Sequence, residues 1–481
     1  MRVTIIIPPS GFLLDERVFP TLGVLKVAAV LETAGVDVDV LDLSGVPNVA
    51  IAVTAHLSAH ESDAYGITAT MPQMPAAAAI AEQIREARPS AKLVLGGPHA
   101  TLMQASARQE RHRGEIGRAT LAMSELVALF DVVVCGDGER AIGYALEYGA
   151  TGIIDGDDPK SELFLTNDDL GRFAFAARHL IDLESYHYAI DGVRAQSIIG
   201  QLGCPFGCHF CGGRRSPSLR RIRTRSTQLV IDEMRHLYQT YRTRGFMFFD
   251  DELNVNRQFM ELLAAIVTLQ HELGVDFRLR GFLKAELITE SMAAAMYAAG
   301  FRQVLVGFES AHPRILQNIQ KQATREDNTR AVALLHAAGL QVKAAMSLGH
   351  PGESLETIEA TRRWLLEVQP DEFDATIITV YPGTPYFDDA REQTAGIWTY
   401  VDPRTGDRLH AYPVDHLRDL PFYKGTPGSY RSYVYTDFVS AEDLCAARDA
   451  LEAEVRGALH IPYPTAPAAL QFEHSMGQGV Q

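Results

Sequence analysis

"CPFGCHFC", residues 204–211, places Cys204, Cys208 and Cys211 within eight residues of a 481-residue chain that holds five cysteines in all. An odd count with three clustered points to ligation in a reducing compartment and not to a disulfide framework. Gly203, Gly207, Gly212 and Gly213 mark the stretch as a loop. A structural zinc site takes four ligands, usually as two separated pairs. Only one cluster exists here, and His209, next to Cys208, would have to bend back into the same turn to serve as a fourth ligand. The other reading is a four-iron, four-sulfur cluster, in which three thiolates each hold one iron and the fourth iron stays open to chelate an amino and a carboxylate group. Cys135 and Cys445 stand alone and read as small buried residues.

The loop sits inside a repeating rhythm. From "QSIIGQLGC" the chain runs through "FMFFDDE", "DFRLRGF", "FRQVLVGFES", "LQVKAAMSLGHPGE" and "EFDATIITVYPGTP", with helical patterns such as "QFMELLAAIVTLQHELG" and "REDNTRAVALLHAAGL" between them. The second of those ends in the glycine expected just past a helix. Six strand-helix units over 191–385 predict a partial barrel. Upstream, over 1–150, five apolar runs ("RVTIII", "VDVDVLDL", "DAYGITAT", "KLVLGG", "DVVVCGDGE") alternate with helical segments and predict a parallel sheet with helices on both faces, Rossmann-like or flavodoxin-like. Residues 151–190 are polar and read as a linker. Residues 386–481 break into turns and aromatics, one helix ("SAEDLCAARDALEAEVRGAL") and a Pro-rich tail, and read as a small C-terminal cap. Trp398, Tyr423, Tyr430, Tyr433 and Tyr435 either close the barrel mouth over a substrate or form that cap's own core.

A formal net charge of -16 repels a phosphate backbone and argues against nucleic acid as the main partner. The basic stretch "GGRRSPSLRRIRTRS", 212–226, reads as a solvated loop or a binder of small anionic groups. No run of about 20 apolar residues predicts a membrane span, and the start lacks a signal peptide. A cytoplasmic protein is expected.

The barrel half resembles the radical S-adenosylmethionine superfamily. Its C-x-x-x-C-x-x-C loop, with Phe210 before the last cysteine, is followed in order by "FMFFDDE" (246–252), "VLVGFESAHPRIL" (304–316), "SLGHPGES" (347–354) and "ITVYPGTPYF" (378–387). The resemblance implies that S-adenosylmethionine chelates the open iron and that an electron cleaves it to a 5'-deoxyadenosyl radical. It places Asp250 and Asp251 at the ammonium of that cosubstrate, Arg280 or Lys284 at its carboxylate, Glu309 and Ser310 at its ribose or amino group, and Gly349 and Gly352 against its adenine. His271 and His312 are scattered, and His350, in the "LGHPGE" loop, lies near the expected site.

A dinucleotide domain would show G-x-G-x-x-G after its first strand, and "IIIPPSGFLL" does not. Residues 1–150 are instead similar to the cobalamin-binding domain that precedes the radical barrel in one large subclass, through "ERVFPTLGVLKVAAVLETAG", "VDVLDL", "YGITAT", "LVLGGPHAT" and "DVVVCGDGER". That resemblance implies a nucleotide tail beside Gly96 and Gly97 and polar groups of the corrinoid near Thr68 and Thr70. The D-x-H-x-x-G motif that delivers an axial histidine to cobalt is absent. His99 is therefore expected to touch the tail, and Met71 to Gln73 to neighbour the lower face of cobalt.

The cofactors implied are a [4Fe-4S] cluster, S-adenosylmethionine and cobalamin. The activity implied is methylation of an unactivated carbon, or a phosphorus, of a small molecule or peptide, with an external electron donor such as a flavodoxin or ferredoxin. An oxidative cyclase or rearrangement enzyme on the same architecture, and a non-catalytic corrinoid- or zinc-binding module, are the alternatives. A tRNA methylthiotransferase would carry more N-terminal cysteines and a basic appendage.

Overall fold

The computed structural model describes residues 1–10, 15–418 and 430–462. Six parallel strands form the first sheet: β1 (Arg2–Ile7), β2 (Asp37–Asp42), β3 (Ala64–Thr68), β4 (Lys92–Gly96), β5 (Val132–Cys135) and β6 (Gly152–Asp155), in the order β2-β1-β3-β4-β5-β6. The central strands are unbroken apolar runs because helices cover both faces, and all four residues of β5 are buried. The sixth strand comes from "GIID", in the stretch expected to be a linker, so the sheet is one strand wider than the five anticipated.

The second sheet starts with β7 (Ala189–Ile190), which turns back antiparallel onto β8 (Val193–Ile198). Parallel strands follow: β9 (Gly245–Phe248), β10 (Arg278–Leu283), β11 (Phe301–Glu309), β12 (Gln341–Leu348) and β13 (Glu372–Ile377). Strands β8 to β13 are the six of the partial (β/α)6 barrel. The helix Arg325–Ala337 is followed by Gly339 at φ +81°, the left-handed turn its sequence predicts.

An open barrel leaves the backbone of its last strand unpaired, a liability that proteins cover. Here the helix Ala441–Leu459 covers β13. Its Glu452 accepts a hydrogen bond from the Ala375 N–H at 2.8 Å, while Arg448 and Arg456 donate to the carbonyls of Ala375 and Phe373 at 2.8 and 2.7 Å. The segment between them is not loose turns but an antiparallel sheet of β14 (Arg391–Thr394), β15 (Ile397–Val401), β16 (Arg408–Ala411) and β17 (Val434–Thr436).

Polar contacts seat the first domain on the barrel. Gly383 N–H donates to Ser106 Oγ at 2.6 Å, and Ser106 donates to Asp388. Arg118 lies between the rings of Phe387 and Trp398, 3.5 and 4.0 Å from their centroids. Asp157, fully buried, accepts from Ser216 Oγ (2.6 Å), Ser218 N (2.9 Å) and Ser218 Oγ (2.6 Å) and pairs with Arg108. The stretch read as linker thus binds the segment just after the cysteine loop. Among the described residues no helix is long and apolar enough to cross a membrane.

Candidate functional site

A cavity of about 610 Å³ lies where the C-terminal ends of the two parallel sheets face each other. Thr68, Thr70, Gly96, Gly97 and His99 line one side; Cys211, Glu252, Glu309, Lys321 and Ser347 line the other. Strand C-termini are where barrel enzymes and open α/β sheets both place their ligands.

The cysteine loop is held from several directions. Gly200 N–H donates to Asp250 Oδ1 at 2.7 Å, Gly203 N–H to Asp251 Oδ2 at 3.0 Å and Cys204 N–H to the Leu219 carbonyl at 2.9 Å. Arg220 donates to the carbonyls of Pro205 and Phe206, both at 2.8 Å. Gly203 sits at φ +86°, where an added Cβ would come 2.2 Å from the Arg221 carbonyl oxygen, so only glycine fits. All three thiols are free, and burial pushes each upward, Cys211 to about 12. Three thiolates from one loop are the donor set of a four-iron cluster that keeps one iron open. His209 does not join them. Its Nδ1 is 3.0 Å from Tyr400 Oη, on the C-terminal sheet.

Behind the loop stands a buried network. Lys321 Nζ is 3.0 Å from Glu309 Oε1, Ser347 Oγ donates to Glu309 Oε2 at 2.8 Å, and Ser347 Oγ is 2.8 Å from His350 Nε2. The His350 ring meets the edge of Phe210 at 5.1 Å, which ties the network to the loop. Burial alone would raise the Glu309 carboxyl, but Lys321 and the Ser347 hydroxyl hold it below the usual range. Glu309 adopts φ +66°, strained for a residue with a Cβ. Strain of this kind persists where surroundings over-determine it, as at functional sites.

On the opposite wall, nothing lies within 4 Å of a Cβ built on Gly96, which borders the cavity, so a side chain there would occupy ligand space. Gly97, at φ +95°, lets the backbone pass Thr68: an added Cβ would lie 2.7 Å from Thr68 Oγ1. His99 is 1% exposed, its Nδ1 lacks a hydrogen-bond partner among the described residues, and burial pushes its pKa well down. A neutral imidazole with an open nitrogen at this edge, beside an open glycine cradle, fits the polar periphery of a corrinoid. Thr70 and Gln73 satisfy each other in a capping box, and Gln73 Nε2 donates to the Pro8 carbonyl at 2.8 Å, which fixes Met71 in the wall.

Other expected contacts lie elsewhere. The side chains of Asp250 and Asp251 hold the cysteine loop and do not line the cavity; burial pushes both carboxyls up to about 7. Arg280 is buried below the cavity, near Tyr188 and 4.0 Å from Glu372. Lys284 donates to the Lys321 carbonyl at 2.6 Å. Ser310 accepts from the His312 N–H at 3.1 Å, away from the cavity. Gly349 and Gly352 have positive φ, but they do not line the cavity and pack against Val434, Leu444 and Asp407 of the C-terminal region. Trp398, Tyr430, Tyr433 and Tyr435 do not border the cavity either; Tyr430 Oη donates to Asp449 and Tyr435 stacks on His410. Tyr423 lies outside the described residues. The structure adds Glu252, Lys321 and Tyr381 to the wall, none of them singled out from sequence. Glu252 stood inside a quoted motif; Lys321 carried no signal.

A family model described as the radical SAM superfamily matches residues 198–365, and one described as a B12 binding domain matches residues 16–143. The chain is 27% identical over 393 residues to an uncharacterized methyltransferase of Pyrococcus horikoshii, covering 80% of this chain and 82% of that protein. It is 26% identical over 372 residues to an anaerobic magnesium-protoporphyrin IX monomethyl ester cyclase of Rubrivivax gelatinosus, covering 76% of this chain and 64% of that one. Among solved structures, the radical S-adenosylmethionine methyltransferase TsrM of Kitasatospora setae, with tryptophan substrate and a SAM analog bound, superposes with a TM-score of 0.67 at 18% identity, over 97% of this chain and 92% of that one. The last likeness concerns the fold.

Proposed function

Because the chain belongs to the cobalamin-dependent radical S-adenosylmethionine enzymes, we propose that it is a methyltransferase acting on an unactivated carbon, or a phosphorus, of a small molecule or peptide. The observation that carries this reading is the shared cavity: Gly96, Gly97 and His99 on one wall, Cys211, Glu309 and Lys321 on the other. When bound, the cluster and cobalamin supply one-electron cleavage of S-adenosylmethionine and methyl carriage.

The chain's own residues then have distinct tasks. Cys204, Cys208 and Cys211 would hold the cluster, and Asp250 and Asp251 keep their loop in place. Glu309, paired with Lys321 and accepting from Ser347, presents a carboxylate to the hydroxyls or ammonium of the cosubstrate. Gly96, Gly97, Thr68, Thr70 and His99 would receive the corrinoid, with the loop Met71 to Gln73 in the same wall. Phe249, Phe282, Met346 and Ile377 line the barrel interior and exclude water from the reacting carbon. An external one-electron carrier of the flavodoxin or ferredoxin kind completes the cycle, in a reducing cytoplasm that keeps the thiols free.

For a carbon substrate the overall balance is R–H plus two S-adenosylmethionines and two electrons, giving R–CH₃, S-adenosylhomocysteine, methionine and 5'-deoxyadenosine. Anaerobic turnover with the correct substrate should release S-adenosylhomocysteine and 5'-deoxyadenosine in equal amounts, with one methyl gained. Release of 5'-deoxyadenosine without matching S-adenosylhomocysteine would replace this reading with a cyclase or rearrangement.

A further inference from the structure

At the far edge of the first sheet, away from the cavity, three ligating side chains converge. Asp39 projects from edge strand β2, His56 from the last turn of the helix Val49–Ala59, and His60 is the residue that ends it. A spacing of four puts both imidazoles on one helix face. Their rings stack with centroids 4.8 Å apart, and one ligand atom from each of the three residues lies within 4.8 Å of the others.

The contacts are too long to be hydrogen-bonded ion pairs. Asp39 Oδ2 is 3.8 Å from His56 Nε2 and 3.9 Å from His60 Nδ1, whereas charge-assisted N–H···O bonds close to about 2.7–2.9 Å. The carboxylate stands between two nitrogens without closing on either. We propose that Asp39, His56 and His60 form a Zn²⁺ site that fastens edge strand β2 to the end of the helix behind it. Donors at about 2.0–2.2 Å from one ion lie roughly 3.3–3.6 Å apart in a tetrahedral arrangement, so the two Asp39 contacts need to close by only about 0.5 Å, which side-chain rotation supplies. A borderline-soft ion suits two imidazoles and one carboxylate. The negative end of the helix dipole favours a cation at this position. Thr4 Oγ1, 3.2 Å from His56 Nε2, has Ser62 Oγ at 2.8 Å as a second partner and can yield that nitrogen. The remaining coordination position faces solvent, since all three ligands are partly exposed.

The test uses the full-length protein loaded with its iron-sulfur cluster and cobalamin, exposed to Zn²⁺ alone and desalted. Zinc content should be one per chain, and X-ray absorption at the zinc edge should show nitrogen and oxygen neighbours only. His60→Ala and Asp39→Asn should each lose that zinc while iron and cobalt contents stay as in the parent. Sulfur neighbours would place the zinc on the cysteine loop and overturn the proposal, as would zinc retained in both variants or none retained in the parent.

Discussion

Lys321 Nζ lies 3.0 Å from Glu309 Oε1, and both residues are buried in the cavity wall. Removing one partner of such a pair leaves an uncompensated buried charge, at a cost of about 3–5 kcal/mol, whereas removing both can be nearly neutral. Lys321→Met should therefore lower the thermal midpoint sharply, and Lys321→Met with Glu309→Gln should recover most of it. S-adenosylmethionine binding, followed by equilibrium dialysis, should stay impaired in the double variant. Recovery of both stability and binding would reduce the pair to a packing element.

Replacing any one of Cys204, Cys208 or Cys211 by Ala should abolish assembly of a four-iron cluster. Cys135→Ala and Cys445→Ala should leave it intact, since Cys135 is buried in β5 and Cys445 lies in the C-terminal helix. Iron and sulfide content with the visible absorbance of the reconstituted protein decide this. A cluster persisting in a variant lacking all three thiols would contradict the assignment.

Gly96→Leu should fill the open space beside β4 and weaken hydroxocobalamin binding at least about tenfold, a loss of about 1.4 kcal/mol, with little change in secondary structure by circular dichroism. The cob(II)alamin form of the parent should show no nitrogen superhyperfine splitting in electron paramagnetic resonance. The same spectrum in His99→Ala would place His99 at the periphery of the cofactor and not on cobalt.

At the domain interface, burial pushes the Asp388 carboxyl up to about 6, against the lowering effects of Ser106 and Arg215. A carboxyl with a raised folded-state pKa binds more protons folded than unfolded, so its contribution to stability is greatest below the unfolded value near 3.8 and is lost as pH rises through about 6. Asp388→Asn removes that dependence. Its thermal midpoint relative to the parent should be higher at pH 7.5 than at pH 4.5, by the equivalent of at most about 3 kcal/mol. An identical difference at both values would show that the carboxyl is ionised throughout.

Period and punctuation made both sheets legible, down to the cysteine loop and the left-handed Gly339 after the helix Arg325–Ala337. What the sequence concealed is direction. Strand β9 ends at Phe248, so alternation no longer tells which way the next four side chains point: Phe249 and Glu252 reach the cavity while Asp250 and Asp251 turn to the loop. Gly349 and Gly352 stood out in their loop, but the C-terminal residues they pack against, Asp407, Val434 and Leu444, are far away in sequence. Lys321 follows a short helix between Gln320 and Gln322, both at positive φ, and no local pattern marks such a position. Strand β6 was hidden because a four-residue edge strand carries too few apolar positions to stand out.

The helix Ala441–Leu459 gives the barrel a handle as well as a cover. Arg448, Glu452 and Arg456 share one helix face and meet successive backbone groups of β13, so they copy with side chains the pairing that a seventh barrel strand would make with its backbone. A truncation ahead of residue 441 would do more than shorten the chain. It would bare a strand edge ready to pair with another molecule, and the shortened protein should be recovered as oligomers even though its cofactor-facing residues are all present.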